Sequence, residues 1–119
     1  MRERDVEKIF VEGIRARGGV AYKFVSPGND GVPDRLVVLP DGCVFFVELK
    51  TETGKLSGLQ KTQIGRLTER GASVAVLYGA FQVRDFLRSV SNGAAADEMQ
   101  SGRWGAPAPC RSDEGGEAQ

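Results

Sequence analysis

The segment DRLVVLPDGCVFFVELK, residues 34–50, carries the strongest structural signal of the sequence. Its two apolar runs, 34–39 and 43–50, are rich in β-branched and aromatic residues, which favours β-strands. The intervening Pro-Asp-Gly is typical of a hairpin turn. Because both runs are almost continuously hydrophobic, we expect the two strands to be buried on both faces of a sheet.

The length of the turn determines the register of this hairpin. A three-residue loop makes Leu39 oppose Cys43, and counting back along the strands then places Asp34 opposite Glu48. A two-residue loop would instead place Asp34 opposite Leu49 and turn the aspartate side chain to the other face. We favour the three-residue loop, because its proline suits the first turn position and its glycine suits the left-handed position.

Helices and strands alternate through the rest of the first 91 residues. Apolar residues at helical spacing predict the first and last helices, and Ser57 with Gln60 forms a capping-box pattern that opens the middle one. The predicted elements outside the hairpin are a helix over 3–17, a strand over 20–25, a helix over 57–70, a strand over 73–78 and a short helix over 83–90. The order αβββαβα predicts one α/β (α+β) domain, residues 1–91, with a mixed sheet flanked by helices.

The remaining residues, 92–119, have a different composition. They are rich in Gly, Ala, Pro and acidic residues and show no hydrophobic periodicity, which predicts a flexible tail. The body carries 14 Lys and Arg against 11 Asp and Glu, whereas the tail carries 2 against 5. The neutral chain therefore divides into a mildly basic body and an acidic tail, a charge distribution that does not by itself identify a nucleic-acid binder.

The composition excludes several kinds of site. There is no histidine, and the two cysteines are Cys43 and Cys110. A four-ligand structural zinc site, a Ser-His-Asp triad and a histidine general base are therefore excluded. Any catalysis must use carboxylates, lysine, hydroxyls or a metal bound through oxygen. No apolar run approaches the roughly 20 residues of a membrane span, and the charged N-terminus is unlike a secretory signal, so we expect an intracellular protein.

Three residues of the hairpin carry the candidate chemistry. Glu48 and Lys50 are two residues apart on one predicted strand, so both side chains project from the same face, and in the favoured register Asp34 joins them. Adjacent carboxylates repel each other unless a cation lies between them, and Mg²⁺ prefers such oxygen ligands. Because a metal can polarise a phosphoryl oxygen and a lysine can stabilise negative charge, the pattern predicts phosphodiester hydrolysis with Mg²⁺, for which Mn²⁺ should substitute.

Three short segments and a glutamine resemble a known family. They are GVPD at 31–34, VELK at 47–50, GKLS at 54–57, and Gln60. In this order, on predicted strands and a helix, they resemble the VRR-NUC (virus-type replication-repair nuclease) family of the PD-(D/E)xK superfamily. The resemblance extends from the first helix to about residue 90, and it implies a restriction-endonuclease-like core.

The resemblance also implies an active site. It implies that Asp34 and Glu48 bind the metal, helped by the carbonyl of Leu49, and that Lys50 is catalytic. It further implies a metal-binding and catalytic acid on the first helix. We assign that acid to Glu7, which borders the apolar face of the predicted helix.

Two assignments remain open at this point. Glu3 lies on the same side of the first helix and is the alternative to Glu7. Gln60 matches the family's catalytic glutamine on the second helix, but a plain helix cap would explain it equally well. Four further residues are candidates for contacts with DNA, scattered surface positions being the alternative: Lys23, Ser26, Lys55 and Lys61.

Stand-alone members of this family resemble Holliday-junction resolvases and act as homodimers. The resemblance therefore implies a Mg²⁺-dependent endonuclease that acts on branched DNA such as a four-way junction. It also favours a phage or prophage gene whose product acts in the host cytoplasm. The alternatives are a nuclease of nicking, flap or restriction type, and a nucleic-acid-binding module that has lost cleavage, although the intact Asp/Glu/Lys set speaks against the latter.

Overall fold

The computed structural model describes residues 1–91 and the pair Gly105–Ala106. Its elements, in chain order, are α1 (Glu3–Ala16), β1 (Val20–Lys23), β2 (Arg35–Val38), β3 (Val44–Lys50), α2 (Gly58–Glu69), β4 (Val74–Tyr78), α3 (Gly79–Ser91) and β5 (Gly105–Ala106). The predicted order αβββαβα is confirmed. The short strand β5 is an addition within the predicted tail, the rest of which lies outside the described residues.

The strands form one mixed sheet in the order β1-β2-β3-β4-β5. β1, β2 and β3 are joined as antiparallel neighbours, whereas β3 and β4 are parallel, and β5 pairs antiparallel with β4. The parallel pair requires a crossover connection, which α2 provides. β3 is therefore a central strand, and β1 is an edge strand.

The hairpin between β2 and β3 has the predicted three-residue turn. The backbone N–H of Leu39 donates to the carbonyl of Cys43 at 2.9 Å, and Gly42 donates to the carbonyl of Leu39 at 2.8 Å. Gly42 has a φ of 88°, the left-handed conformation expected at this position. Continuing this register along β2 and β3 places Asp34, one residue before β2, opposite Glu48.

One face of the sheet packs on α1 and α3. The rings of Phe45 and Phe86 lie 5.4 Å apart between centroids, and Phe10 contributes the third ring from α1. The two helices approach closely, since a Cβ at Gly13 would lie 2.3 Å from Cδ1 of Leu87. This apolar layer holds the sheet rigidly and contributes most of the burial that stabilises the fold.

The opposite face is covered only in part, because α2 packs near β4 and leaves the β1 side of the sheet open. Residues 47–49 of β3 are buried, as expected, but Val44 at the other end of the strand is 48% exposed. The prediction that both strands are buried on both faces is therefore wrong at the turn end of the hairpin. The hydrophobic run could not reveal how far a single helix would extend over it.

The last helix begins earlier than predicted. α3 starts at Gly79, directly after β4, rather than near residue 83. Gly79 has a φ of 82°, which lets the chain turn from strand to helix without a loop. The side-chain carbonyl of Gln82 then accepts the backbone N–H of Tyr78 at 2.9 Å. Within the described ranges, no helix is long and apolar enough to cross a membrane.

Candidate active site

The topology gathers several chain segments at one end of the sheet. β1, β3 and β4 all finish there, β2 starts there, and α2 begins a few residues after β3. We call this the open end, defined by Asp34, Glu48 and Lys50. The turn end, defined by residues 40–42, lies at the other end of the same hairpin.

Asp34 is held between two strands. Its carbonyl accepts the N–H of Phe24 at 2.8 Å, and its Oδ2 accepts the backbone N–H of Leu49 at 3.1 Å. In a strand, the N–H and C=O of one residue point toward the same neighbour. The carbonyl of Leu49 therefore also faces the side on which Asp34 lies, as the predicted metal site requires.

Glu48 is the most unusual residue of the open end. Its side chain is only 1% exposed, although it projects from a strand that is otherwise apolar around it. Its Oε2 accepts the side-chain amide of Gln60 at 2.9 Å and lies 3.7 Å from Nζ of Lys50. Its Oε1 is buried and has no hydrogen-bond partner among the residues that the structure describes. A buried carboxylate oxygen without a partner is costly, so this atom requires an explanation.

The raised pKa values of the two carboxylates also indicate a site that is short of positive charge. Burial, reinforced by the neighbouring Asp34 carboxylate and partly offset by Lys50, raises the pKa of Glu48 to about 7. Burial also raises the pKa of Asp34, and the carboxylate of Glu7 adds to that effect. The folded protein therefore resists ionising both groups together unless more positive charge is supplied. Two carboxylates, one of which has the unpartnered oxygen, and a backbone carbonyl fit a divalent cation that prefers oxygen ligands.

Gln60 forms the predicted helix cap and also contacts the buried carboxylate of Glu48, whereas its catalytic role stays a prediction. Its side-chain carbonyl accepts the N–H of Ser57 at 2.8 Å, while Oγ of Ser57 accepts the N–H of Gln60 at 3.1 Å. This is the predicted capping box. Because the carbonyl oxygen is used by the cap, the amide nitrogen is directed toward Glu48. The helix start and the buried carboxylate are thus tied together by one side chain.

The loop before Asp34 is packed against the same helix start. Gly31 has a φ of 97°, and a Cβ there would lie 2.6 Å from the backbone carbonyl carbon and oxygen of Leu59. No other residue type would fit this contact without displacing the loop or α2. The close approach sets the position of Asp34 relative to Gln60.

Glu7 is placed differently from the other candidates. Its Oε2 accepts two hydrogen bonds from the guanidinium of Arg35, at 2.7 Å and 3.2 Å, and Arg35 also donates to the carbonyl of Ala21 at 3.1 Å. Arg35 follows Asp34 by one residue, so its side chain projects to the α1 face of the sheet. Among the described residues, no group of three or more His, Cys, Asp or Glu side chains gathers as a metal site.

The structure thus brings together Asp34, Glu48, Lys50 and Gln60, but it does not bring Glu7 into their cluster. Arg35 could not be recognised from the sequence, because its pairing with α1 depends on tertiary packing. Glu3, the alternative acid, adds a small charge effect that also raises the pKa of Glu48. Both helix acids therefore lie near the open end.

Tyr78 is a neighbour that the sequence analysis missed. It pairs in register with Lys50 across the parallel strands, so the two side chains share a face. Only the pairing of β3 with β4 reveals this, since the residues are 28 positions apart. A cross-strand count from an assumed parallel register could have found it.

The candidate DNA-contacting residues lie around the open end. Lys23 ends β1, Lys55 lies between β3 and α2, and Lys61 is in the first turn of α2. All three lysines are exposed, and none forms an ion pair within the described part of the chain. Ser26 is half-buried, and its hydroxyl accepts a hydrogen bond from Asn29 at 2.9 Å. The basic side chains are thus available to a polyanion, whereas Ser26 holds its own loop.

Known proteins share this arrangement of sequence and fold. The model of the VRR-NUC domain matches residues 9–81. A protein named "Putative nuclease p44", from Acyrthosiphon pisum secondary endosymbiont phage 1, is 49% identical over 77 residues, which cover 65% of this chain and 83% of that protein. A solved structure of a VRR-NUC domain is 35% identical, with a TM-score of 0.67, and the match covers 72% of this chain and 94% of that one. This chain therefore belongs to the VRR-NUC family of nucleases.

Proposed function

We propose that this nuclease is a metal-dependent DNA endonuclease that hydrolyses phosphodiester bonds at the open end of the sheet. The observation that carries the proposal is the buried Oε1 of Glu48. This atom has no hydrogen-bond partner within the described part of the chain and lies on the face that Asp34 and Lys50 share. A divalent cation held by Asp34, Glu48 and the carbonyl of Leu49 would give that oxygen a partner. Mg²⁺ is the ion that such a ligand set favours, and Mn²⁺ should substitute for it.

The residues of the site then have distinct roles. A bound Mg²⁺ ion would polarise the scissile phosphate and lower the barrier to attack by water. Lys50 keeps its ammonium group beside Glu48 and supplies a hydrogen-bond donor to the negative charge that develops on the phosphate. Gln60 holds Oε2 of Glu48, which leaves Oε1 directed toward the metal site. For Glu7 we propose a supporting role, because its carboxylate lies close enough to raise the pKa of Asp34.

For the substrate we propose branched DNA, with a four-way junction as the reference case. Exposed lysines around the open end suit a phosphate backbone. A homodimer would present two such sites related by a two-fold axis, which suits paired cuts in a symmetric junction. The similarity to a phage protein with a nuclease name favours a role on phage or host DNA.

The test of the proposed chemistry is cleavage of a labelled four-way junction. The wild type, Lys50→Ala and Lys8→Ala would be incubated with Mg²⁺, with Mn²⁺ or with a chelator. Lys8 is an exposed lysine of α1 and serves as the matched control. We expect metal-dependent cutting by the wild type and Lys8→Ala and its loss in Lys50→Ala. Cutting that persists in the chelator, or in Lys50→Ala, would refute the proposed site.

The test of the substrate is a comparison of rates on junction, flap, nicked and linear DNA. We expect the junction to be cut faster than the linear duplex, and we expect sedimentation at micromolar concentration to show a dimer. Equal rates on junction and duplex would refute the preference for branched DNA. A strict monomer would refute the paired-cut mechanism while leaving the metal site intact.

A further inference from the structure

Phe81 is the most exposed large apolar side chain in the described part of the chain, at 79%. It lies in the first turn of α3 and takes no part in the core. Val83, Phe86 and Leu87 make the buried contacts of this helix. A single exposed aromatic residue is not unusual in itself, so its meaning depends on where it lies.

The position of Phe81 is adjacent to the candidate active site. Tyr78 pairs with Lys50, and α3 starts at the next residue, so Phe81 follows the open end of β4 by three residues. A second close approach involves Gly79, at the start of α3. A Cβ at Gly79 would lie 2.6 Å from Cγ of Glu52, so the start of α3 packs on the segment that follows Lys50.

Two charged residues neighbour Phe81 along the helix surface: Asp85, which is half-buried and paired with Arg88, and Arg84, which is exposed and suits a nucleic acid. Arg84 follows Phe81 by three residues, so the two side chains lie on the same side of α3. Arg84 is exposed, and within the described ranges it forms no ion pair. An aromatic ring stacks on an unpaired base of any sequence, and a neighbouring arginine contacts the phosphate.

We propose that Phe81 stacks on an unpaired base of the DNA substrate and that Arg84 contacts an adjacent phosphate. This inference rests on the proposed function and adds to it a determinant of substrate preference. A fully paired duplex presents no free base face at this position, whereas a branch, gap or flap does. Phe81 is therefore a specificity-determining residue that favours DNA with unpaired nucleotides close to the cleaved bond.

The experiment measures DNA binding in a chelator, so that no cleavage occurs. Two labelled DNAs are compared by fluorescence anisotropy: a duplex with three unpaired nucleotides at a branch, one of them 2-aminopurine, and a matched fully paired duplex. The proteins are the wild type, Phe81→Ala, Phe81→Leu, Phe81→Trp and Arg84→Ala. Val44→Ala removes an exposed apolar side chain at the turn end and is the matched control.

We expect Phe81→Ala to reduce the ratio of the two affinities about 10-fold, the effect of losing one stacked base. Phe81→Leu should reduce the affinity ratio similarly, because leucine is apolar but cannot stack, whereas Phe81→Trp should keep the wild-type ratio. The 2-aminopurine fluorescence should change on binding to every protein that keeps an aromatic residue at position 81, but not on binding to Phe81→Ala or Phe81→Leu. Arg84→Ala should weaken binding to both DNAs and lower the slope of log affinity against log salt by about 1.

An unchanged affinity ratio in Phe81→Ala would overturn the proposal, even if that variant altered the oligomeric state. A wild-type ratio in Phe81→Leu would also overturn it, since stacking would then be unnecessary. The melting temperature of each variant checks folding, and the exposure of Phe81 predicts little change. Cleavage with Mg²⁺ is measured separately, so failure of the proposed nuclease site is distinguishable from failure of the proposed stacking.

Discussion

The two ends of the β2–β3 hairpin belong to the same pair of strands but differ in how their polar side chains are buried and hydrogen-bonded. At the turn end, Asp41 is exposed and its Oδ1 accepts the backbone N–H of Cys43 at 3.0 Å, an ordinary turn contact. At the open end, Asp34 faces a buried Glu48 whose Oε1 has no hydrogen-bond partner in residues 1–91. The turn end satisfies its polar groups and sets the register, whereas the open end keeps an electrostatic cost that a bound cation would relieve.

The largest expected effect separates the two aspartates of the hairpin. Asp34→Asn removes a charge from the proposed metal site, and we expect cleavage to fall by at least about 1,000-fold, since a metal contributes several kcal/mol to the barrier. Asp41→Asn keeps the turn geometry and should leave cleavage within about twofold of wild type. Single-turnover rates on the junction with Mg²⁺ measure both. Comparable losses in the two variants would mean that Asp34 acts only through folding.

The second effect separates two glycines of similar conformation. Gly31→Ala should cost more than about 2 kcal/mol of folding stability, because strain at positive φ is joined by a clash with the backbone of Leu59. Gly42→Ala has open space around it and should cost only about 1 kcal/mol. Denaturant unfolding measures both. A Gly31→Ala protein as stable as Gly42→Ala would show that the loop does not depend on this contact.

The third effect is a pH dependence of stability in the metal-free protein. Because the pKa of Glu48 is raised from its ordinary 4.5 to about 7, the folded state binds more protons than the unfolded chain between these values. The contribution of Glu48 to folding stability should therefore be largest below about pH 4.5. It should be lost as pH rises through 7, a decrease of up to about 3 kcal/mol. Glu48→Gln should flatten that decrease and be more stable than wild type at pH 8.

Thermal unfolding in a chelator from pH 5 to pH 8 checks this pH dependence. Saturating Mg²⁺ is the control, because a cation at the carboxylates should restore wild-type stability at pH 8 but not change Glu48→Gln. If Glu48→Gln is less stable than wild type at pH 8 without metal, the carboxylate contributes favourable contacts that the structure does not account for.

The smallest effect distinguishes two roles of the start of α2: capping the helix and holding the carboxylate of Glu48. Ser57→Ala removes a helix cap and should cost about 1 kcal/mol of stability with little change in cleavage. Gln60→Ala also removes the amide that holds Oε2 of Glu48. Its cleavage rate should therefore fall further, by about 10-fold, the effect of one lost hydrogen bond to a charged group. Equal cleavage by the two variants would reduce Gln60 to a plain cap.

Much of this arrangement could be predicted because it depends on local rules. The Pro-Asp-Gly turn sets the register, and strand alternation then places Asp34, Glu48 and Lys50 on one face. The capping box was likewise readable, since Ser57 and Gln60 are three residues apart.

The rest depends on tertiary packing that no local pattern encodes. The pairing of Glu7 with Arg35 joins residues 28 positions apart, and local periodicity gives no sign of it. The alignment of Tyr78 with Lys50 needs the parallel register of β3 and β4. The direct passage from β4 into α3 depends on one glycine in a left-handed conformation, which sequence patterns treat as a helix breaker.

The central claim is that Asp34 and Glu48 hold a divalent cation between them, and Mn²⁺ binding tests it most directly. Electron paramagnetic resonance would count free Mn²⁺ in titrations of the wild type, Glu48→Gln and Asp41→Asn, without DNA. We expect saturable binding by the wild type and Asp41→Asn, and we expect Glu48→Gln to lose this binding or to bind at least about 10-fold more weakly. Equal Mn²⁺ binding by the wild type and Glu48→Gln would contradict it.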